Sequence, residues 1–137
     1  MTDQELIRCA IQVRHRSYAP YSHFHVGAAL LSKSGKVFTG CNLENAAFSP
    51  TICAERAALA KAVSEGEREF TAIAIVGGKN QSISPIFTTP CGVCRQALYE
   101  FGGATLRVIL ARSEDDYQAV TLGELLPLGF GPANLEK

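Results

Sequence analysis

Cys53 and Glu55 stand two positions apart, and Cys91 and Cys94 stand three apart, so the chain offers three soft thiolates and one free carboxylate to a single metal. Three protein ligands leave the fourth tetrahedral position of a zinc ion open to water or substrate, whereas structural zinc sites close with four. A carboxylate beside the open position can move protons to and from reacting atoms. Residue types and spacing therefore point to an enzyme.

A spacing of three puts the sulfurs of Cys91 and Cys94 on one side of the first turn of a helix. A helix N-terminus and a metal both favour thiolate over thiol. A lone C-x-x-C also fits a redox pair or a structural ribbon, but a ribbon needs a second C-x-x-C and the chain has none. Three thiolates on a divalent ion leave a net charge of about minus one, which calls for a nearby cation. Arg56 follows Glu55 and carries a permanently charged guanidinium able to donate to two sulfurs, although a surface helix arginine would read the same way. His15, His23 and His25 are ligand types, but surface or packing roles suit them better. Cys9 and Cys41 read as small buried hydrophobes, and Arg14-His15-Arg16 as a solvated helix end.

The elements that must position these residues follow from pattern. Thr2 and Glu5 have capping-box spacing, and Leu6, Cys9, Ala10 and Val13 recur at helical intervals, predicting a helix that ends before Pro20. Residues 25–31 and 37–42 read as a hairpin turning at Lys33-Ser34-Gly35-Lys36. Ser49-Pro50 or Thr51 can start a second helix with its body at 54–64, stopped by Gly66. Strands follow at 70–76 and 106–111, with a loop at 79–89, a helix at 91–101 ended by Gly102-Gly103, and a fifth strand at 117–121. Helices alternating with strands after a hairpin predict an α/β protein: a three-layer α-β-α arrangement around a mixed, roughly five-stranded sheet. The run Ala57–Val63 is apolar nearly all round, predicting burial on several sides, by core packing or by a subunit interface.

With 137 residues and 47% hydrophobic content, residues 1–137 suit one domain with a core that needs no disulfides. Thirteen basic residues balance thirteen acidic ones, which gives no broad positive field for a nucleic acid polymer. No stretch approaches the roughly 20 apolar residues that span a bilayer, and the polar start Met1-Thr2-Asp3-Gln4-Glu5 is unlike a signal peptide. A cytoplasmic protein with no membrane partner is expected. Five cysteines cannot all pair, which again favours metal over disulfides.

Cys53-Ala54-Glu55 followed by Pro90-Cys91-Gly92-Val93-Cys94 is similar to the signature of zinc nucleoside and nucleobase deaminases. Pro20-Tyr21-Ser22-His23-Phe24-His25-Val26-Gly27-Ala28-Ala29, Asn42-Leu43-Glu44-Asn45-Ala46 and Cys91-Gly92-Val93-Cys94-Arg95-Gln96 resemble, more narrowly, the small homotetrameric cytidine deaminases, from about Leu6 to about Leu135. The resemblance implies one Zn²⁺ per subunit held by Cys53, Cys91 and Cys94, with Arg56 hydrogen-bonded to the cysteine sulfurs. It implies that Glu55 takes a proton from the attacking water, protonates the ring at N3 and later delivers a proton to departing ammonia. Asn42 and Glu44 match ribose-binding positions at the 3′-hydroxyl, Phe24 matches an aromatic facing the pyrimidine, and the backbone around Ala54 matches the contact to the base edge. Phe130, within Leu125–Pro132, matches a phenylalanine that enters a neighbouring subunit's pocket, so the resemblance implies a homotetramer with composite sites. Phe48 stands where many members have tyrosine.

The implied activity is hydrolytic deamination of cytidine and deoxycytidine to uridine and deoxyuridine plus ammonia, a step of pyrimidine salvage. A carboxylate at Glu44 would favour a free nucleoside over a phosphorylated one. Two alternatives remain open at this point: a blasticidin S-type deaminase with the same zinc residues, and a non-catalytic zinc module whose fourth ligand is Cys41 or a histidine.

Overall fold

The computed structural model describes residues 1–136. Helix α1 (Asp3–Arg14) starts at the expected capping box: the Thr2 hydroxyl accepts from the Glu5 amide at 3.1 Å, and the Glu5 carboxylate accepts from the Thr2 amide at 3.4 Å. Strands β1 (Phe24–Ser32) and β2 (Val37–Cys41) form the hairpin. They are followed by α2 (Ala54–Ser64), β3 (Phe70–Lys79), α3 (Gly92–Gly102), β4 (Arg107–Ala111), β5 (Tyr117–Thr121) and a short α4 (Leu122–Leu125). The sheet order is β2-β1-β3-β4-β5, and only β3 and β4 run parallel, with α3 in the crossover between them.

Side chains alternate across this sheet, which separates two apolar layers. Ala28, Leu30, Ile73, Ile75, Val108 and Leu110 face α2 and α3. Ala29, Ala72, Ala74, Val76, Ile109 and Ala111 face Leu6, Ile7 and Ala10 of α1. The three-layer mixed sheet expected from the pattern is the one formed. Two glycines set how closely the helices approach. A Cβ on Gly27 would collide with the Ala10 carbonyl, and one on Gly40 would lie 2.6 Å from the Ala54 carbonyl oxygen, so α2 lies directly on β2 at its N-terminal end.

Four expectations need correction. The second helix starts neither at Ser49-Pro50 nor at Thr51: Ile52 exchanges both backbone hydrogen bonds with Leu43, at 3.0 Å each, so its peptide groups are already used and Cys53 becomes the N-cap. Strand β3 runs three residues past Val76, because Gly77, Gly78 and Lys79 keep pairing with β1. Helix α4 was not expected from apolar periodicity, but it carries its own capping box, Thr121 with Glu124. Finally, α2 buries one face, with Ala58, Leu59 and Ala62 covered while Ala60 and Lys61 are exposed, so the run Ala57–Val63 is not enclosed within this chain.

Arg14 also departs from a solvated helix end. It is 3% exposed and faces no carboxylate among its hydrogen-bond partners. Its guanidinium donates instead to the carbonyls of His25 and Gly78, each at 2.9 Å, and of Asn80 and Ser82. Burial lowers its pKa from the usual arginine value, yet the group stays charged because guanidinium starts so high. Arg14→Leu leaves these acceptors without their donor and is expected to destabilise the protein by about 3 kcal/mol. Arg14→Lys recovers only part of that, since an ammonium lacks the planar fork. Urea unfolding of the two variants measures both effects.

Candidate active site

The start of α2 and the start of α3 bring the three cysteines together. Cys53 is the N-cap residue of α2 and Cys91 that of α3, and neither side chain is used to cap its helix. Cys94 lies in the first turn of α3, fully buried. The Cys53 and Cys91 sulfurs are 3.8 Å apart, the Cys91 and Cys94 sulfurs 3.6 Å, and all three lie within 4.8 Å of one another. Tetrahedral zinc with bonds of about 2.3 Å requires sulfur separations of about 3.8 Å. The donor set and its spacing therefore fit one zinc ion with a fourth position left for a non-protein ligand. Among the described residues, this is the one such cluster of potential ligands. All five cysteines are free thiols.

Charge at the cluster is arranged as the chemistry requires. Arg56 directs Nη2 at the Cys53 sulfur, 3.8 Å away, while its Nε is buried with no hydrogen-bond partner. The guanidinium is thus turned towards thiolate sulfur rather than towards oxygen acceptors. With no metal bound, three adjacent thiols cannot all ionise. The Cys53 pKa is drawn down, chiefly by the hydrogen bond from Cys94 and then by Arg56, while that of Cys94 is pushed up by the same hydrogen bond and by burial. A metal must therefore displace protons to bind.

Glu55 follows Cys53 by two positions and is 4% exposed, with no salt-bridge partner among the described residues. Burial, reinforced by the charge on Cys53, raises its pKa from 4.5 to about 7. A carboxyl poised near neutrality can both accept and donate a proton under ordinary conditions.

Cys53, Ala54, Glu55 and Cys91 form one end of a cavity of about 220 Å³, whose other walls include Phe24, Asn42 and Glu44. The structure thus brings seven of the expected site residues to one cavity. Glu44 accepts from the Tyr21 and Ser22 amides at 3.0 and 3.1 Å and from the Ser22 hydroxyl at 2.5 Å. Those bonds, the hydroxyl's first, hold its pKa below the usual carboxylate value, so the cavity wall carries a fixed negative charge. Asn42 is also tied down: Oδ1 accepts from the Val26 amide and Nδ2 donates to the Phe24 carbonyl, both at 2.8 Å. Arg95 braces the metal end by donating to the Pro90 carbonyl at 2.7 Å and the Leu125 carbonyl at 2.8 Å, which couples the cysteine loop to the C-terminal segment.

Phe130 is not on the walls of this cavity. It is 56% exposed, and its carbonyl is held by Gln96 at 2.8 Å. Phe48 is exposed and meets Tyr21 edge-on, with ring centres 6.2 Å apart, beside an adjoining hollow that shares Glu44 and Thr51 with the cavity. Sequence reasoning missed Val26, Thr88 and Thr89 as wall residues. Thr88 and Thr89 lie in a stretch without periodicity, and their place directly before Pro90-Cys91 was the only available signal.

Comparison with known proteins agrees with this geometry. Residues 1–111 match the family described as the cytidine and deoxycytidylate deaminase zinc-binding region. The chain is 48% identical over 130 residues to a cytidine deaminase of Halalkalibacterium halodurans, covering 95% of each chain. It is 47% identical over 138 residues to a probable cytidine deaminase of Dictyostelium discoideum, covering 98% of this chain and 90% of that protein. The 1.6 Å crystal structure of cytidine deaminase from Burkholderia pseudomallei superposes with a TM-score of 0.87 at 45% identity, over 95% of this chain and all of that one. With an open three-thiolate site, a buried carboxyl beside it and a match spanning both, the chain belongs to the cytidine and deoxycytidylate deaminase zinc-binding family.

Proposed function

We propose that this protein hydrolytically deaminates cytidine and deoxycytidine to uridine and deoxyuridine plus ammonia, with one zinc per chain held by Cys53, Cys91 and Cys94. The observation that carries the reading is the buried Glu55 carboxyl, poised near neutral pH in the same cavity as the thiolates. A zinc ion held by Cys53, Cys91 and Cys94 would make water acidic enough to ionise near neutral pH and serve as the nucleophile. Glu55 moves the protons: it accepts one from the attacking water and passes it to ring N3, then takes the second from the hydroxyl now on C4 and gives it to the amine, so that the C4–N bond breaks and ammonia leaves. Arg56 draws negative charge off the thiolates, which keeps the cluster electrophilic.

The far end of the cavity selects the substrate. Phe24 packs against the pyrimidine face, the backbone at Ala54 meets the base edge, and Asn42 and Glu44 hold the sugar through a hydroxyl. Glu44 is ionised and cannot move away from its amide donors, so a phosphate in its place would meet uncompensated repulsion. The substrate is therefore a free nucleoside. Phe130, exposed on its own chain, closes the cavity of a neighbouring copy in a homotetramer, which also covers the open Ala57 and Ala60 side of α2. No described helix is long and apolar enough to cross a membrane, in keeping with a cytoplasmic enzyme.

The test is a substrate panel on zinc-loaded protein, followed by the loss of ultraviolet absorbance on deamination. Cytidine and deoxycytidine are expected to turn over, with cytidine 5′-monophosphate at least about 100-fold slower because like charges at Glu44 repel, and with blasticidin S slower than either nucleoside. Comparable rates on blasticidin S would reassign the substrate. Full zinc loading without any turnover would indicate a non-catalytic zinc module.

A further inference from the structure

Two side chains outside the cavity wall hold Asn42 from behind. We propose that Ser17 and His25 are positioning residues for sugar binding, acting through a hydrogen-bond chain from the His25 ring to the Ser17 hydroxyl to Asn42 Oδ1. This inference rests on the assignment of the cavity to a nucleoside.

Hydrogen-bonding chemistry gives each link its direction. Asn42 Oδ1 lies 2.8 Å from the Val26 amide, which can only donate, and Nδ2 lies 2.8 Å from the Phe24 carbonyl, which can only accept. The orientation of the amide is thereby determined. The Ser17 hydroxyl, 2.5 Å from Oδ1, must then be the donor. Its proton is committed there, so the contact of 2.9 Å from His25 Nδ1 to the Ser17 oxygen requires a proton on Nδ1. With Oδ1 doubly occupied and one Nδ2 hydrogen given to Phe24, Asn42 keeps a single N–H donor for the cavity.

The chain also joins three separate segments: the turn after α1, the start of β1 and the residue following β2. Neither Ser17 nor His25 lines the cavity, so neither touches substrate, and their effect on binding passes through Asn42. Without Ser17, Asn42 keeps only its bonds to the Val26 amide and the Phe24 carbonyl, and its side chain is held less firmly against the sugar. The sugar hydroxyl then loses its fixed donor, while Glu55 and the cysteines are untouched.

The experiment compares cytidine with 2′,3′-dideoxycytidine, whose sugar has no ring hydroxyl for Asn42 to meet. In Ser17→Ala the ratio of kcat/KM between the two is expected to fall about fivefold, the effect of one neutral hydrogen bond, through KM for cytidine, with kcat changed less than about twofold. His25→Ala, acting from the other end of the chain, is expected to lower the ratio similarly. Ser17→Thr and His25→Asn, which keep the donors, should restore it. A ratio unchanged in both alanine variants, or a parallel loss on both nucleosides, overturns the proposal while leaving the deaminase assignment standing. Absence of cytidine turnover by the unaltered protein overturns that assignment and this inference together.

Discussion

Glu55→Ala is expected to bind one zinc per chain and keep its assembly while losing cytidine turnover by roughly 10⁴-fold, the upper end of what one positioned proton carrier contributes. The expectation is high because, in the proposed mechanism, a single carboxyl serves several successive proton transfers, at the water, at N3 and at the leaving amine. No other carboxylate is available to take over: Glu44, the other acidic residue in the cavity, is held ionised by three donors. The loss should appear in kcat rather than in KM, since alanine leaves Phe24, Asn42 and Glu44 in place. Zinc-loaded Glu55→Ala with turnover near that of the unaltered protein would remove Glu55 from the mechanism.

The same residue makes the metal-free protein respond to pH. The folded-state pKa of Glu55 is raised from 4.5 to about 7, so its protonated form is the one that burial tolerates. Its contribution to stability is complete below pH 4.5 and is lost as pH rises through 7. Above that, the buried carboxylate costs about 3 kcal/mol relative to a neutral group. Metal-free Glu55→Gln is therefore expected to be more stable than the unaltered protein at pH 8 and indistinguishable from it at pH 4. Urea unfolding at the two pH values reads the difference directly.

Cys94→Ala is expected to reduce zinc from one per chain to well below that and to abolish turnover. Cys94 is fully buried, its sulfur lies 3.6 Å from that of Cys91, and no described histidine or acidic residue joins the cluster to replace it. Two thiolates fall short of the three protein ligands that an open zinc site uses, and even the loss of an outer-shell partner typically costs about 10- to 100-fold in affinity. Alanine nearly fills the volume near the backbone, so the apolar layers around Leu98 should survive and the variant should fold. Metal analysis after gel filtration is the measurement. Stoichiometric zinc in Cys94→Ala would mean that another residue completes the site.

The cysteine cluster was legible because its chemistry is local. Cys53 and Glu55 are fixed to each other by two residues of one helix start, and Cys91 and Cys94 by one helical turn, so spacing alone carried most of the geometry. The strands and helices were legible for a similar reason, since periods of about two and 3.6 residues report on burial. Boundaries were less so. The start of α2 depends on the Leu43–Ile52 bridge, a contact between residues nine apart that leaves no mark on local composition. Arg14 read as a solvated cation because no sequence pattern announces carbonyls arriving from His25, Gly78, Asn80 and Ser82.

Local spacing was thus enough to read the chemistry on offer: three thiolates, one carboxyl beside them and an α/β frame to carry them. Their convergence came from the packing, because Cys53 and Cys91 begin different helices on the same face of the sheet and meet only when both helices pack there. It also decided the protonation of Glu55, since a carboxyl's pKa follows from burial and neighbouring charge, neither of which is local in the chain. Finally, it decided the orientation of Asn42, which is set by backbone groups of Phe24 and Val26 and by the hydroxyl of Ser17, partners brought to it across two strands and a turn.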